Sequence, residues 1–227
     1  MKFLFFDLDD TLLDFHKAEA WAIRQALRRS GVEPTDAIVA RYSEINQRQW
    51  ELLEEKKLTR EQVLLRRFQL LFRELRVNAS CEETQRCYEN MLAKSHDFMP
   101  GAPELLERLV GKYRLYLVSN GTAMVQDCRL RDSGIGTYFQ GIFISERVGV
   151  DKPQKEFFDR SFATIPDFDP SQAVIIGDSL TSDMRGGINA GITTCWYNPR
   201  NKPRRADIPV DFEIDNLMEL PRLLEAL

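Results

Sequence analysis

Short runs of apolar residues recur along the chain, and polar residues or glycines bound them. These runs occupy residues 2–6, 114–118, 141–144, 173–176 and 192–196, and a last short one lies near 210–214. They are rich in Phe, Val, Ile, Leu and Tyr, which favours buried strands. From residue 100 onward, segments with helical spacing separate them, at about 102–111, 122–133, 154–164 and 182–190. This alternation predicts an α/β fold with a doubly wound, Rossmann-like parallel sheet that helices cover on both faces.

Residues 15–97 break the alternation, because no strand pattern occurs among them. Helical patterns lie there near 16–30, 35–56, 59–76 and 80–95. The segments 59–62 and 80–83 both match the capping box that starts a helix. We therefore predict two domains: an α/β core formed by residues 1–14 and 98–227, and an all-helical cap formed by residues 15–97.

The basic residues of the third cap helix are predicted to form one solvated face. They are spread along the segment 56–76 and comprise Lys56, Lys57, Arg60, Arg66, Arg67, Arg73 and Arg76. Charged residues on a helix are usually exposed, because burial of an unpaired charge is costly.

Composition restricts which binding partners and which cellular location we expect for this protein. The net charge of −4 argues against nucleic acid as a partner, since no basic face dominates. No apolar stretch approaches membrane-spanning length, and the apolar run before Asp7 is shorter than a secretory signal requires. The four cysteines form no C-x-x-C pair, which is typical of reduced packing residues. We expect a cytoplasmic location with no membrane partner, and the sequence does not determine the oligomeric state.

Acidic and small polar residues follow three of the predicted strands. The six residues at these strand ends are Asp7, Asp9, Ser119, Asn120, Asp178 and Asp183. In an open parallel sheet, ligands bind beyond the carboxyl ends of the strands. Four carboxylates gathered at this edge would repel one another without a cation, and magnesium suits an all-oxygen site. The pattern therefore predicts a Mg²⁺ site.

A phosphate group is the expected ligand of such a site. Lys152 would supply a compact positive charge for it. Ser119 and the backbone N–H groups at the start of the following helix would add hydrogen-bond donors. Phosphate monoesters hydrolyse very slowly, and a covalent aspartyl-phosphate splits the reaction into two easier steps. Asp9 could give a proton to the leaving oxygen and then take one from water.

Four ordered segments resemble the signatures of the haloacid dehalogenase superfamily phosphatases. They are Asp7-Leu8-Asp9-Asp10-Thr11, Ser119-Asn120, Lys152-Pro153 and Gly177-Asp178 with Asp183. The resemblance extends from Phe3 to about Pro199. The predicted helical insert is similar to the helical cap of that superfamily. The dehalogenases themselves lack an acid at the position of Asp9, so this residue favours phosphate chemistry.

The resemblance implies roles for the four acidic residues. Asp7 would be the nucleophile and a metal ligand. Asp9 would be the general acid and then the base, and its backbone carbonyl would bind the metal. Asp178 would be a further magnesium ligand, and Asp183 would support the water shell of the metal or Lys152.

The resemblance also implies how phosphate is held. Ser119 and Asn120 would bind the transferring phosphoryl group. Lys152 would be a catalytic residue that orients both Asp7 and the phosphate.

A narrower resemblance concerns the substrate. The segments 183–191 and 194–199 are similar to the noncanonical pyrimidine 5′-nucleotidase branch of the superfamily. This similarity implies a nucleoside 5′-monophosphate as substrate, with pyrimidines such as dUMP, UMP or dTMP ahead of purines.

Other functions remain open at this stage. The substrate could be another small phosphate ester, such as a sugar phosphate or phosphoglycolate. A phosphomutase or phosphonate hydrolase would use the same fold. In a different class, a receiver-like module also phosphorylates an aspartate at the edge of a parallel sheet, and a phosphoaspartate that lasts for minutes would favour that interpretation.

Overall fold

The computed structural model describes residues 1–227, which divide into two compact units. One unit, here called the core unit, comprises Met1–Asp14 and His96–Leu227. The other, the helical unit, comprises Phe15–Ser95. None of the helices in the chain combines the length and the apolar composition that a membrane crossing requires.

The helical unit contains four helices and no strand. The helices are α1 (Phe15–Arg29), α2 (Asp36–Glu54), α3 (Arg60–Leu75) and α4 (Cys81–Leu92). The predicted capping box at the start of α3 is confirmed: the Thr59 side chain accepts from the backbone of Gln62, whose own side chain accepts from the backbone of Thr59. At the start of α4, Ser80 accepts a hydrogen bond from the Glu83 backbone.

The prediction of a fully solvated basic face on α3 is wrong for Arg67. Its side chain is buried inside the helical unit, with 2% of its surface exposed. The guanidinium lies 4.7 Å from the centre of the Tyr88 ring and donates hydrogen bonds to Asn46 and Gln85. These polar and aromatic partners offset part of the cost of burying the charged guanidinium.

The core unit is built on a six-stranded parallel sheet. Its strands are β1 (Phe3–Phe6), β2 (Arg114–Ser119), β3 (Gly141–Ile144), β4 (Ala173–Gly177), β5 (Thr193–Tyr197) and β6 (Phe212–Ile214). Their order is β3-β2-β1-β4-β5-β6, and every neighbouring pair is parallel. The predicted α/β fold class is thereby confirmed.

Helices cover both faces of this sheet. They are α5 (Ala102–Leu109), α6 (Ala123–Ser133), α7 (Ser145–Val148), α8 (Lys155–Phe162), α9 (Arg185–Ala190) and α10 (Leu220–Glu225). Phe3 and Phe5 of β1 belong to a buried cluster that includes Phe157 of α8. The alternate residues Leu4 and Phe6 belong to a second cluster, which includes residues of α5. Because successive side chains of a strand point to opposite faces, β1 is apolar along its whole length.

The strand register brings the predicted site residues to one edge. Phe6 at the end of β1 pairs with Leu117 of β2 and with Ile176 of β4. The next residue, Asp7, continues the pairing, since its backbone N–H donates to the Ile176 carbonyl at 2.9 Å. The segments that follow β1, β2 and β4 therefore emerge side by side at the carboxyl edge of the sheet.

Candidate active site

Three carboxylates gather at the carboxyl edge of the sheet. Oxygen atoms of Asp7, Asp178 and Asp183 all lie within 4.8 Å of one another. Asp7 is 7% exposed and Asp183 only 1%. Burial and then the neighbouring charge of Asp183 raise the pKa of Asp7 well above its usual range. Burial also raises the pKa of Asp178, to about 6. The cluster thus carries more negative charge than its surroundings stabilise.

Lys152 lies against this cluster and is itself buried. Its ammonium donates to Asp7 Oδ1 at 2.8 Å, to Asp183 Oδ1 at 2.6 Å and to the Val118 carbonyl at 2.9 Å. Burial alone would lower the pKa of Lys152, but the charges of Asp183 and Asp7 outweigh burial and raise it. All three N–H groups of the ammonium are used by protein atoms, so Lys152 holds the position of Asp7.

Two further residues fix the carboxylates in place. The Thr11 hydroxyl donates to Asp7 Oδ2 at 3.2 Å and accepts from the Asp178 backbone N–H at 3.1 Å. Thr11 therefore ties the loop after β1 to the end of β4. Gly177 has no side chain, and a Cβ there would overlap the Asp183 carboxylate. Only glycine lets Asp183 approach the strand this closely.

Asp9 does not join the carboxylate cluster with its side chain. Its Oδ2 accepts from Gln126 Nε2 at 2.7 Å, and its Oδ1 forms an ion pair with the guanidinium of Arg129. The Asp9 side chain remains 27% exposed. The carboxylate is thus held on one side by α6 and open on the other. The expected metal contact of Asp9 concerns its backbone carbonyl, and that contact stays a prediction.

The predicted phosphate-binding residues differ in how their side chains are engaged. Ser119 Oγ accepts from the Gly121 backbone N–H at 3.1 Å and from Gln126 Nε2 at 2.8 Å. Since both lone pairs are used, the hydroxyl proton is left as a donor. The Asn120 side chain instead bridges to the Lys152 backbone, with hydrogen bonds of 2.8 and 2.9 Å. Asn120 therefore anchors the segment that carries Lys152, and a direct contact with phosphate stays a prediction.

Sequence reasoning assigned no role to four residues that contact the predicted site. They are Thr11, Gln126, Arg129 and Lys202, whose ammonium lies 2.9 Å from Asp178 Oδ2. Thr11 lies within the first signature, which was the only signal available for it. Gln126 and Arg129 lie one turn apart on the helix that follows Ser119. A polar pair with this spacing on a helix is ordinarily solvated, so the pattern did not indicate that it belongs to the site.

The cluster has the chemistry of a magnesium site. Its donors are all carboxylate oxygens, which are the ligands that hard cations such as Mg²⁺ prefer. Three carboxylates face the buried ammonium of Lys152 and the partly exposed ammonium of Lys202, so net negative charge remains for a cation to balance. The residues present therefore fit the ion.

Comparison with known proteins is consistent with this geometry. A family model described as haloacid dehalogenase-like hydrolase matches residues 1–191. The chain is 42% identical to the HAD-hydrolase YfnB of Bacillus subtilis, over 97% of this chain and 94% of YfnB. It is 36% identical to pyrimidine 5′-nucleotidase PynA of Streptococcus pneumoniae, over 96% and 93% of the two chains. It is 30% identical to pyrimidine 5′-nucleotidase YjjG of Escherichia coli, over 97% of this chain and 96% of YjjG.

A solved structure of YfnB extends the comparison. It covers 98% of both chains with a TM-score of 0.94 and 41% identity. That crystal structure was determined with magnesium bound and is described as revealing interdomain movement. Sequence, fold and the carboxylate site at the sheet edge agree, and the chain belongs to the haloacid dehalogenase-like hydrolase family.

Proposed function

We propose that this enzyme is a magnesium-dependent phosphatase that attacks pyrimidine nucleoside 5′-monophosphates with Asp7. The observation that carries the chemistry is the placement of Asp7, which is buried between Lys152 and the other carboxylates. The substrate class is supported by the relatives PynA and YjjG, which bear the name pyrimidine 5′-nucleotidase and match nearly the whole chain. Family membership also favours a hydrolase over the receiver-like alternative.

The first half-reaction transfers the phosphoryl group to the protein. A carboxylate oxygen of Asp7 forms a bond to phosphorus, and the bond from phosphorus to the ester oxygen breaks. Asp9 gives its proton to the departing oxygen, so the nucleoside leaves as a neutral alcohol. The products of this step are aspartyl-phosphate at Asp7, free nucleoside and ionised Asp9.

The second half-reaction releases phosphate. Water attacks phosphorus, and ionised Asp9 takes one of its protons, which restores the acid for the next cycle. The bond between phosphorus and the Asp7 oxygen breaks, so inorganic phosphate leaves and the carboxylate is regenerated. The partial exposure of the Asp9 side chain supports access of such a water.

The surrounding residues hold the reacting groups in position for these steps. We propose Asp7 and Asp178 as magnesium ligands, with Asp183 holding Lys152 and the Asp9 carbonyl as a further ligand. When bound, the cation supplies the charge that lets the carboxylates and a phosphate group share one small space. Lys152 keeps Asp7 oriented, and the Ser119 hydroxyl donates to a phosphoryl oxygen. Asn120 holds the Lys152 segment in register with Ser119.

Magnesium binding provides a prediction that does not require turnover. Asp178→Asn removes a carboxylate from the cluster, and we expect the affinity for Mg²⁺ to fall by at least about 100-fold. Isothermal titration calorimetry with MgCl₂ measures this directly. Asp159→Asn is the matched control, because Asp159 is an exposed partner of Lys155 in the same unit. Equal affinities in Asp178→Asn and the control would remove Asp178 from the ligand set.

The substrate is tested by a panel of phosphate esters at fixed magnesium. The panel contains dUMP, UMP, dTMP, purine monophosphates, hexose phosphates and phosphoglycolate, and released phosphate gives kcat/KM for each. We expect the pyrimidine monophosphates to lead. A hexose phosphate or phosphoglycolate that leads by about tenfold, equivalent to about 1.4 kcal/mol, would replace the nucleotidase assignment and leave the phosphatase chemistry in place.

The proposed location and partners rest on composition. The four cysteines are all free, which supports a reducing compartment such as the cytoplasm. The net charge of −4 supports a small-molecule substrate over nucleic acid.

A further inference from the structure

We propose that Gln126 and Arg129 are positioning residues that hold the acid–base carboxylate of Asp9 in a fixed relation to the Ser119 hydroxyl. Both lie on α6 and are 1% exposed. This inference rests on the proposed phosphatase function, in which Asp9 moves protons and Ser119 binds the phosphoryl group.

Arg129 determines how the Gln126 amide is oriented. The Arg129 Nη1 atom donates to Gln126 Oε1 at 3.0 Å and also to Asp9 Oδ1. Because the amide oxygen faces a guanidinium, the amide nitrogen must face the opposite way. A flipped amide would place its NH₂ group against the N–H of Arg129.

Gln126 then joins the two proposed functional groups. Its Nε2 atom donates to Asp9 Oδ2 at 2.7 Å and to Ser119 Oγ at 2.8 Å. An amide NH₂ has two hydrogens, and each is used once. The distance between Asp9 and Ser119 is therefore set by a single planar group, which Arg129 holds in turn.

A purely structural role does not account for this pair. The neighbouring buried positions of α6 are Val125 and Leu130, and apolar residues would fill the same space. Replacement of a buried ion pair by well-packed apolar residues is often neutral or stabilising. Asp9 is itself partly exposed, so water could satisfy its carboxylate if Arg129 were absent. The two buried polar side chains instead satisfy Asp9 and Ser119, the residues that the proposed mechanism uses for proton transfer and for phosphoryl binding.

The contacts with Arg129 and Gln126 leave part of the Asp9 carboxylate available for proton transfer. Arg129 and Gln126 occupy one acceptor position on each carboxylate oxygen, and each oxygen keeps a second lone pair. Loss of either donor would let the carboxylate rotate away from the leaving oxygen. Proton transfer would then suffer more than substrate binding, so kcat would fall while KM changes little.

The dependence of the first-step rate on the leaving group distinguishes a loss of Asp9 positioning from a general loss of active-site structure. A nucleoside must be protonated as it leaves, whereas p-nitrophenyl phosphate releases a stable anion that needs no proton. Pre-steady-state release of nucleoside and of p-nitrophenolate measures the first half-reaction for each ester. The variants are Arg129→Met, Arg129→Lys and Gln126→Met, and Asp9→Asn serves as the reference for complete loss of the acid.

Arg131→Met is the matched control. Arg131 lies on the same helix, pairs with Asp132 and is 68% exposed. Circular dichroism and thermal melting establish that each variant is folded, and if Arg129→Met does not fold, Gln126→Met decides the question. We expect Arg131→Met to behave as wild type with both esters.

For Arg129→Met and Gln126→Met, we expect the first step to slow by about 100-fold with the nucleotide, yet stay within about threefold of wild type with p-nitrophenyl phosphate. Arg129→Lys should recover part of the nucleotide rate, because an ammonium keeps the charge but cannot place its donors where the planar guanidinium places Nη1. In Gln126→Met, Ser119 keeps its hydrogen bond from the Gly121 backbone, so KM for the nucleotide should change little in all three variants.

Equal losses with both esters, unchanged rates, or a rise in KM alone would overturn the positioning role. If wild type hydrolyses neither ester, the proposed phosphatase function fails instead. If Asp9→Asn shows the leaving-group dependence and Gln126→Met does not, Asp9 keeps its role and the positioning inference is wrong.

Discussion

Asp7→Asn is expected to abolish turnover, with kcat lower by at least about 10⁴-fold, the scale seen when a nucleophile is removed from an enzyme. The amide oxygen of asparagine is a far weaker nucleophile than a carboxylate, so the bond to phosphorus cannot form at a useful rate. The amide also removes one negative charge from the proposed magnesium ligands. Both changes act on the reaction, and released phosphate from the preferred ester measures them.

The fold should survive this substitution. The pKa of Asp7 is raised by burial and by Asp183, which means that the folded state disfavours its ionised form. The ionised carboxylate therefore costs stability at neutral pH in the metal-free protein, and removal of its charge relieves that cost. The asparagine oxygen can still accept from Lys152, which also keeps its hydrogen bonds to Asp183 and the Val118 carbonyl. We expect the melting temperature without metal to equal or exceed that of wild type.

The surface variant Asp159→Asn controls for the chemical change from aspartate to asparagine. It should retain wild-type kcat and melting temperature. If correctly folded Asp7→Asn keeps more than a few per cent of wild-type kcat, Asp7 is not the nucleophile.

Asp9→Asn is expected to lower kcat by about 10²- to 10⁴-fold, the usual contribution of a general acid or base. One carboxylate serves both half-reactions, so both should slow. An asparagine side chain would also meet the N–H donors of Arg129 and Gln126 with an NH₂ group on one side. It would therefore lose its orientation as well as its proton.

Two measurements isolate this effect. Rapid-quench kinetics with the nucleotide as substrate follow formation and decay of the phosphoenzyme separately, and both rates should fall. Binding of beryllium trifluoride with magnesium should persist, because that analogue uses Asp7 and not Asp9. A normal rate in either half-reaction would contradict the dual role.

The fold was predictable because its strands are buried on both faces. Phe3 and Phe5 contribute to one apolar cluster and Leu4 and Phe6 to the other, so β1 contains no polar residue to obscure its pattern. In a parallel sheet all carboxyl ends meet at one edge, and the acidic strand ends were therefore predicted to be neighbours.

The supporting residues could not be predicted in the same way. Periodicity identifies which residues share a helix face, but not whether a polar residue there has a buried partner. Arg67 was assigned to a solvated face for this reason, and it is buried against Tyr88 and Asn46. Arg129 received no role, because its partner Asp9 lies far from it in the chain. Contacts of this kind can be identified only from the fold, which shows the distant segments that lie together.

In the proposed mechanism, Asp7 carries the phosphoryl group during turnover. An acid quench of the Asp9→Asn enzyme tests this directly, after mixing with magnesium and p-nitrophenyl phosphate and followed by proteolysis and mass spectrometry. This ester forms the phosphoenzyme without an acid, whereas decay still needs the missing base, so the intermediate should accumulate with the phosphoryl group on the peptide that contains Asp7. A phosphoryl group on any other residue, or an unmodified Asp7 peptide after stoichiometric release of p-nitrophenolate, would contradict the mechanism.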